Sequence, residues 1–243
     1  MVDNMETKNK IVLLSLLILS GLFLLANCNA SDSTVKGQSM TNKKRILLLG
    51  ASVGRAWNLK EFPERIKSSN YVFESVAAWQ YDKTEALEEI LMRPKRKFRF
   101  SKNYIKGFFE PALQRPDIII IKECSAYFPG DFELYKALMK EWVKRIKGAK
   151  IDVWVATAVP VTTARAEKTK GKIEGIREFN DWIREYAKKE NIILIDLEAA
   201  LRKDSDKRFL KDEFTSGDGT HLNKEAYDIL DKVLMDTCSL QLK

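Results

Sequence analysis

Four short runs of apolar residues limit what this chain can become: Arg45-Ile-Leu-Leu-Leu49, Asp117-Ile-Ile-Ile-Ile121, Ile151-Asp-Val-Trp-Val-Ala156 and Ile192-Ile-Leu-Ile-Asp196. Each is strand-length and lacks polar alternation, the pattern of a β-strand buried on both faces. Tyr71–Ala77 is a weaker fifth candidate. Between the runs lie amphipathic stretches. Asp131, after Pro129-Gly130, is placed as an N-cap. Leu134, Leu138, Trp142 and Ile146 follow at intervals of four until Gly148. Ile176, Phe179, Ile183 and Tyr186 mark a second apolar face. Asn223 is placed to cap a last helix, with Leu222 and Tyr227 as a hydrophobic staple. Strands alternating with helices imply right-handed crossovers, hence a parallel sheet covered on both sides. The expected fold is α/β, a three-layer α/β/α sandwich with a parallel sheet of about five strands. No internal repeat is visible.

The chain has 243 residues, 45% of them hydrophobic and 31% charged, enough for one domain with a real core and too apolar for a largely disordered chain. The cysteines, Cys28, Cys124 and Cys238, have no C-x-x-C spacing and indicate neither a structural zinc site nor a disulfide framework. A single histidine, His221, excludes a His-rich metal centre and carries any imidazole chemistry. The net charge of +8 favours acidic partners in a general way. Much of it sits in Arg93-Pro-Lys95-Arg96-Lys97-Phe-Arg99-Phe-Ser-Lys102, extended to Lys106. This run reads either as a solvated loop or as a cationic flap attracting an anionic polymer or membrane surface. No recognised nucleic-acid motif accompanies it, so no nucleic-acid partner is expected.

The amino terminus carries a separate message. Residues Ile11–Ala26 are almost wholly apolar and follow Lys8 and Lys10, as in a secretory signal (residues 1–30). Leu25-Ala-Asn-Cys28 resembles a bacterial lipoprotein box that would lipidate Cys28, with Asn27 in place of the usual small residue. Cleavage after Ala30 and an uncleaved anchor are the other readings. All three expect an extracytoplasmic, cell-envelope protein with membrane contact through its amino terminus. Residues 31–42 read as a polar tether and 43–243 as the globular domain.

In open parallel sheets chemistry gathers beyond the carboxyl ends of the strands. Two segments there hold candidates. Gly50-Ala-Ser52-Val-Gly54 follows the first strand, so Ser52 would sit on a tight turn. Ser216-Gly-Asp218-Gly-Thr-His221-Leu-Asn223 runs into the last helix and puts a carboxylate three residues before the imidazole. Ser52, Asp218 and His221 are the residue types of a nucleophile, an orienting acid and a general base. Gly-x-Ser-x-Gly also matches the nucleophile elbow of the α/β-hydrolase fold, but there the elbow lies mid-chain and acid and histidine come from separate loops.

The order found here resembles the SGNH (GDSL-like) hydrolases. The likeness rests on Ile46-Leu-Leu-Leu-Gly50-Ala-Ser52-Val and Asp218-Gly-Thr-His221-Leu-Asn-Lys-Glu-Ala-Tyr, and runs from about Arg45 to about Leu234. It implies a flavodoxin-like fold, hydrolysis of acetyl or other short acyl esters, often on carbohydrates or lipids, and no metal or organic cofactor. The partner it implies is a small-molecule or glycan ester. The chain departs from the family pattern in three places. Ala51 replaces the Asp before the serine. The second block, Val76-Ala-Ala-Trp79-Gln80, lacks the glycine whose amide binds the oxyanion. The third, Lys122-Glu123-Cys124-Ser125-Ala126-Tyr127, lacks the asparagine. Losing one such donor costs about 3 kcal/mol of transition-state stabilisation. Candidate replacements are the Ser125 hydroxyl, Lys122 and local backbone amides. Trp79, Glu123 and Ser125 join Ser52 as expected oxyanion or substrate contacts. Lys122 and Glu123 read equally as a pair at the strand's end, and Cys124 as a small packing residue.

Overall fold

The protein is described by a computed structural model over residues 43–79, 82–93, 114–203 and 208–241. The chain divides between Thr41 and Asn42 into two units, and all described residues belong to the second. Residues 1–42, with Cys28, and most of the basic run, from Pro94 through Lys106, lie outside the described residues.

The elements follow the alternation expected. Strand β1 (Lys44–Gly50) leads into a short helix α1 (Ser52–Ala56), then α2 (Phe62–Arg65) and β2 (Tyr71–Ala77). Helix α3 (Lys83–Leu91) precedes β3 (Ile118–Lys122), α4 (Phe132–Gly148) and β4 (Asp152–Ala156). Then come α5 (Thr163–Glu167), α6 (Lys172–Glu190), β5 (Ile193–Ile195), α7 (Leu197–Leu201) and α8 (Lys224–Gln241). The five strands form one parallel sheet in the order β2-β1-β3-β4-β5, the flavodoxin-like order.

Both faces of the sheet are covered. Leu47, Leu49, Ile119, Ile121, Val153 and Val155 pack against α3, α4 and α6. Ile46, Leu48, Ile118, Ile120, Trp154 and Ile195 pack against α1, α2, α7 and α8. This double burial explains why β1 and β3 read as unbroken apolar runs. In α4, Asp131 accepts from the Leu134 amide at 2.9 Å, as its sequence position suggests. The buried face differs from the expected one. It consists of Tyr135, Met139, Trp142, Val143 and Ile146, while Leu134 and Leu138 lie half-buried at its flank. Steps of four advance about 40° per step round a 3.6-residue helix, so a strict four-residue series cannot stay on one face. The last helix begins as expected, with Asn223 Oδ1 accepting from the Ala226 amide at 3.1 Å.

The chain leaves β1 on one side to form β2 and returns on the other to form β3. A crevice therefore opens at their carboxyl ends, where Ser52 begins α1. Helix α8 is fastened to this region by a partly buried ionic cluster. Asp231 accepts from Trp57 Nε1 at 2.7 Å, and from Arg65 Nε at 2.5 Å and Arg65 Nη2 at 2.9 Å. Asp231→Ala leaves the buried Trp57 indole N–H without its acceptor, while Arg65 keeps its bonds to Asn58 O and Trp57 O, and is expected to cost about 1–3 kcal/mol. A fall in the urea midpoint at unchanged slope checks this.

Candidate active site

Ser52 owes its position to strand β1, which ends at Gly50, and to Ala51, whose carbonyl starts helix α1 by accepting from the Arg55 amide at 3.0 Å. Gly54 is packed closely: a Cβ there would lie 3.1 Å from Leu48 Cδ2. The turn thus carries Ser52 out over the sheet's edge while its glycine lets α1 lie on β1.

His221 comes from a loop closed on itself. Ser216 N donates to His221 O at 2.9 Å, and Thr215 bridges Leu222. The loop needs φ of +114° at Gly217 and +77° at Gly219, values that L-residues rarely adopt. Asp218 Oδ1 accepts from the amides of Thr220 (2.8 Å) and His221 (2.7 Å), leaving Oδ2 to meet His221 Nδ1 at 2.5 Å. His221 Nε2 lies 3.1 Å from Ser52 Oγ. With Nδ1–H given to the carboxylate, Nε2 is the acceptor for the Ser52 proton. Burial alone would raise the Asp218 pKa, but the hydrogen bonds from His221 and Thr220 outweigh it and hold the carboxyl at about 2. Ser52, His221 and Asp218 thus form a hydrogen-bonded chain able to draw a proton from a serine hydroxyl as it attacks.

The loop is clasped by a residue that the sequence motifs did not single out. Thr162, beyond the end of β4, caps α5 by accepting from the Arg165 amide at 3.3 Å, and its own amide donates to Gly219 O at 3.0 Å. The approach is so close that a Cβ on Gly219 would sit 2.5 Å from Thr162 Oγ1 and 2.8 Å from Arg165 Cβ. The available signal was positional: a threonine just past a buried strand's carboxyl end.

The turn after β3 forms the floor. Cys124 Sγ is 4.0 Å from Ser52 Oγ, and the thiol is buried and free of any disulfide. The Ser125 hydroxyl donates to Val159 O, so this expected oxyanion contact is engaged within the fold. Glu123 is buried and accepts from Lys83 Nζ at 2.7 Å, and Lys83 also donates to Lys122 O at 3.0 Å. The pairing considered between Glu123 and Lys122 is thus made with a lysine from α3. Lys122 donates to Glu123 O at 2.9 Å. Burial pushes its ammonium down to about 8; Cys124 opposes this, Lys83 adds to it and Glu123 opposes it.

On the other side of Ser52 is a cavity of about 220 Å³ lined by Ala51, Ser52, Arg55, Ala56, Ala77, Ala78 and Trp79. Trp79 is 62% exposed and meets Tyr127 ring to ring at 6.2 Å. Gln80 lies outside the described residues. Among the described residues, no group of three or more His, Cys, Asp or Glu side chains is placed to hold a metal ion.

Residues 99–229, just over half the chain, match the model of the GDSL-like lipase/acylhydrolase family. The chain belongs to that family. This member is accordingly an ester-hydrolysing enzyme; the match includes Asp218 and His221 and begins after Ser52. No curated protein sequence matches it. Its fold is shared with solved structures of low identity. A GDSL-like lipase from Bacteroides thetaiotaomicron is 17% identical with a TM-score of 0.60, covering 81% of this chain and 88% of that one. A lipase/acylhydrolase from Enterococcus faecalis is 15% identical with a TM-score of 0.58, covering 82% and 96%. An acetyl xylan esterase is 16% identical with a TM-score of 0.57, covering 79% and 98%.

Two predictions concern the loop of this GDSL-like enzyme. Gly219→Ala combines an unfavourable φ with the Thr162 clash, and is expected to lower kcat at least about ten-fold by displacing His221. A steady-state assay beside a thermal melt separates this from unfolding. The second concerns pH. The Asp218 pKa is depressed on folding, so its contribution to stability is complete above the unfolded value of 3.8 and is lost as pH falls through about 2. Urea midpoints should therefore fall between about pH 4 and about pH 2 as Asp218 takes up its proton, and Asp218→Asn should flatten that fall.

Proposed function

We propose that Ser52 is the nucleophile, His221 the general base and Asp218 the orienting acid of a serine esterase acting on short acyl esters of carbohydrates. The observation that carries this reading is the continuous chain from Asp218 Oδ2 through His221 to Ser52 Oγ, at 2.5 and 3.1 Å. Ser52 Oγ attacks the ester carbonyl as its proton passes to His221 Nε2. Asp218 steadies the imidazolium. Collapse of the tetrahedral adduct breaks the acyl–oxygen bond, and the imidazolium proton goes to the departing alcohol. Water, deprotonated by His221, then releases the acid and restores Ser52.

The Ser52 amide at the start of α1 supplies one oxyanion donor. Because the Ser125 hydroxyl is engaged by Val159 O, the second donor falls to a backbone amide of the Ser125–Ala126 turn. The alanine-lined cavity of about 220 Å³ suits a small acyl group, and exposed Trp79 offers a face for a sugar ring. An acetyl xylan esterase of the same fold supports the same substrate class. The signal-like Ile11–Ala26, with Cys28 as a lipid-bearing residue, supports action in the cell envelope.

Fluorophosphonate labelling tests the assignment. The wild type should be labelled at Ser52, and Ser52→Ala should abolish the label. Ser52→Ala and His221→Ala should each lower kcat by at least about a thousand-fold without unfolding the domain. A folded wild type that resists the reagent would instead mark a relative that binds acylated glycans without cleaving them. Transfer of the acyl group to an added sugar in place of water would mark an O-acyltransferase.

A further inference from the structure

The GDSL-like site is bounded on the His221 side by a positive charge that finds no partner among the described residues. Arg165 is the third residue of helix α5, and its stem lies against Gly219, between Asp218 and Thr220. Its side chain makes no hydrogen bond, ion pair or ring contact with any described residue, and its Nε is buried without an acceptor. The Thr220 hydroxyl, one residue from His221, is also buried without a partner; the residue is 8% exposed. Buried polar groups left unmatched are uncommon in folded proteins, and two on either side of Gly219, one from α5 and one from the loop, call for an explanation.

Lys172 is buried, and its ammonium donates to Ser125 O at 3.2 Å and Phe128 O at 2.6 Å, with no carboxylate. Its pKa is lowered, first by burial and then by the charge of Arg165, which places the two cations within each other's field; Cys124 opposes the shift. Arg165 thus lies against the Asp218–His221 loop, while Lys172 holds the Ser125 turn. The acid of the loop is already engaged, since Asp218 meets His221 Nδ1.

We propose that Arg165 and the Thr220 hydroxyl form a subsite for an oxyanion carried by the alcohol part of the ester, a carboxylate on an acylated sugar. The side of the cleft follows from the mechanism. His221 hands its proton to the departing alcohol, so groups beside the His221 loop meet the alcohol, while the alanine-lined cavity across Ser52 receives the acyl group. A guanidinium presents a planar pair of donors that matches a carboxylate. The Thr220 hydroxyl adds a third donor from the loop itself. An acidic, acylated polysaccharide would present such groups. This inference rests on the esterase reading above.

The test compares two acetyl esters, an O-acetylated methyl glucuronoside and the matching O-acetylated methyl glucoside. The wild type is expected to favour the charged ester in kcat/KM by about ten-fold to a hundred-fold, chiefly through KM, as for a charged hydrogen bond. Arg165→Gln should remove the preference, Arg165→Lys should keep part of it, and Thr220→Val should weaken it. Equal rates with both esters in the wild type, or a preference that survives Arg165→Gln, would overturn the proposal. So would loss of the preference in Arg55→Gln instead, which would move the contact to the acyl side. Ser52-dependent cleavage without discrimination sinks this inference alone. Absence of both Ser52 labelling and cleavage sinks the esterase reading, and the inference with it.

Discussion

The constraint on which the rest depends is the burial of β1 and β3 at the centre of the sheet, where neither strand has a face toward water. Ile46, Leu47, Leu48 and Leu49 are at most 1% exposed, as are Ile118–Ile121. A chain that must cover both faces of such strands can do so only with crossovers on either side. The reversal of winding direction at β1 then opens a crevice at the carboxyl edge. Ser52 sits there because it is the second residue after β1. His221 reaches it across 169 positions of sequence because α8, which follows its loop, packs on the same side of the sheet as α1.

Charge is distributed unevenly round this crevice. Beneath the side facing α3, Lys83 neutralises Glu123 in a fully buried pair, so that carboxylate is a structural group. Removing Lys83 would strand a buried charge, the costly way to break such a pair. On the side facing α5, Arg165 and Lys172 have no such counterpart among the described residues. The same turn after β3 touches both environments and brings Cys124 beneath Ser52. One edge of the sheet therefore supports the Ser52–His221–Asp218 chain, a small apolar cavity on one flank and an unmatched cation on the other.

The elements, and the segments that carry Ser52, Asp218 and His221, were legible from local pattern. The strands appear within a residue or so of the apolar runs. The caps Asp131 and Asn223 act where their spacing puts them, and the Asp-x-x-His spacing foreshadows a carboxylate that meets the imidazole within one loop. The α4 face was less legible. Leu134 and Leu138 are as apolar as the residues buried beside them, and only the sheet beneath decides which part of a wide apolar stripe is its centre. Glu123 illustrates a different limit. Its partner, Lys83, lies 40 positions away on a helix whose docking no local pattern specifies.

By itself, then, the sequence determined the alternation of strands and helices, the turn that exposes Ser52, and the pairing of Asp218 with His221, because each depends on residues near in the chain. Tertiary structure alone decided that His221 Nε2 comes within 3.1 Å of Ser52 Oγ, that Thr162 clasps Gly219, and that Ser125 is engaged by Val159. It also left Arg165 without a partner among the described residues, beside the Asp218–His221 loop. The physical reason is distance along the chain: hydrogen bonds and charge pairs between remote segments are fixed by how helices pack on the sheet, and side-chain periodicity carries no record of that packing.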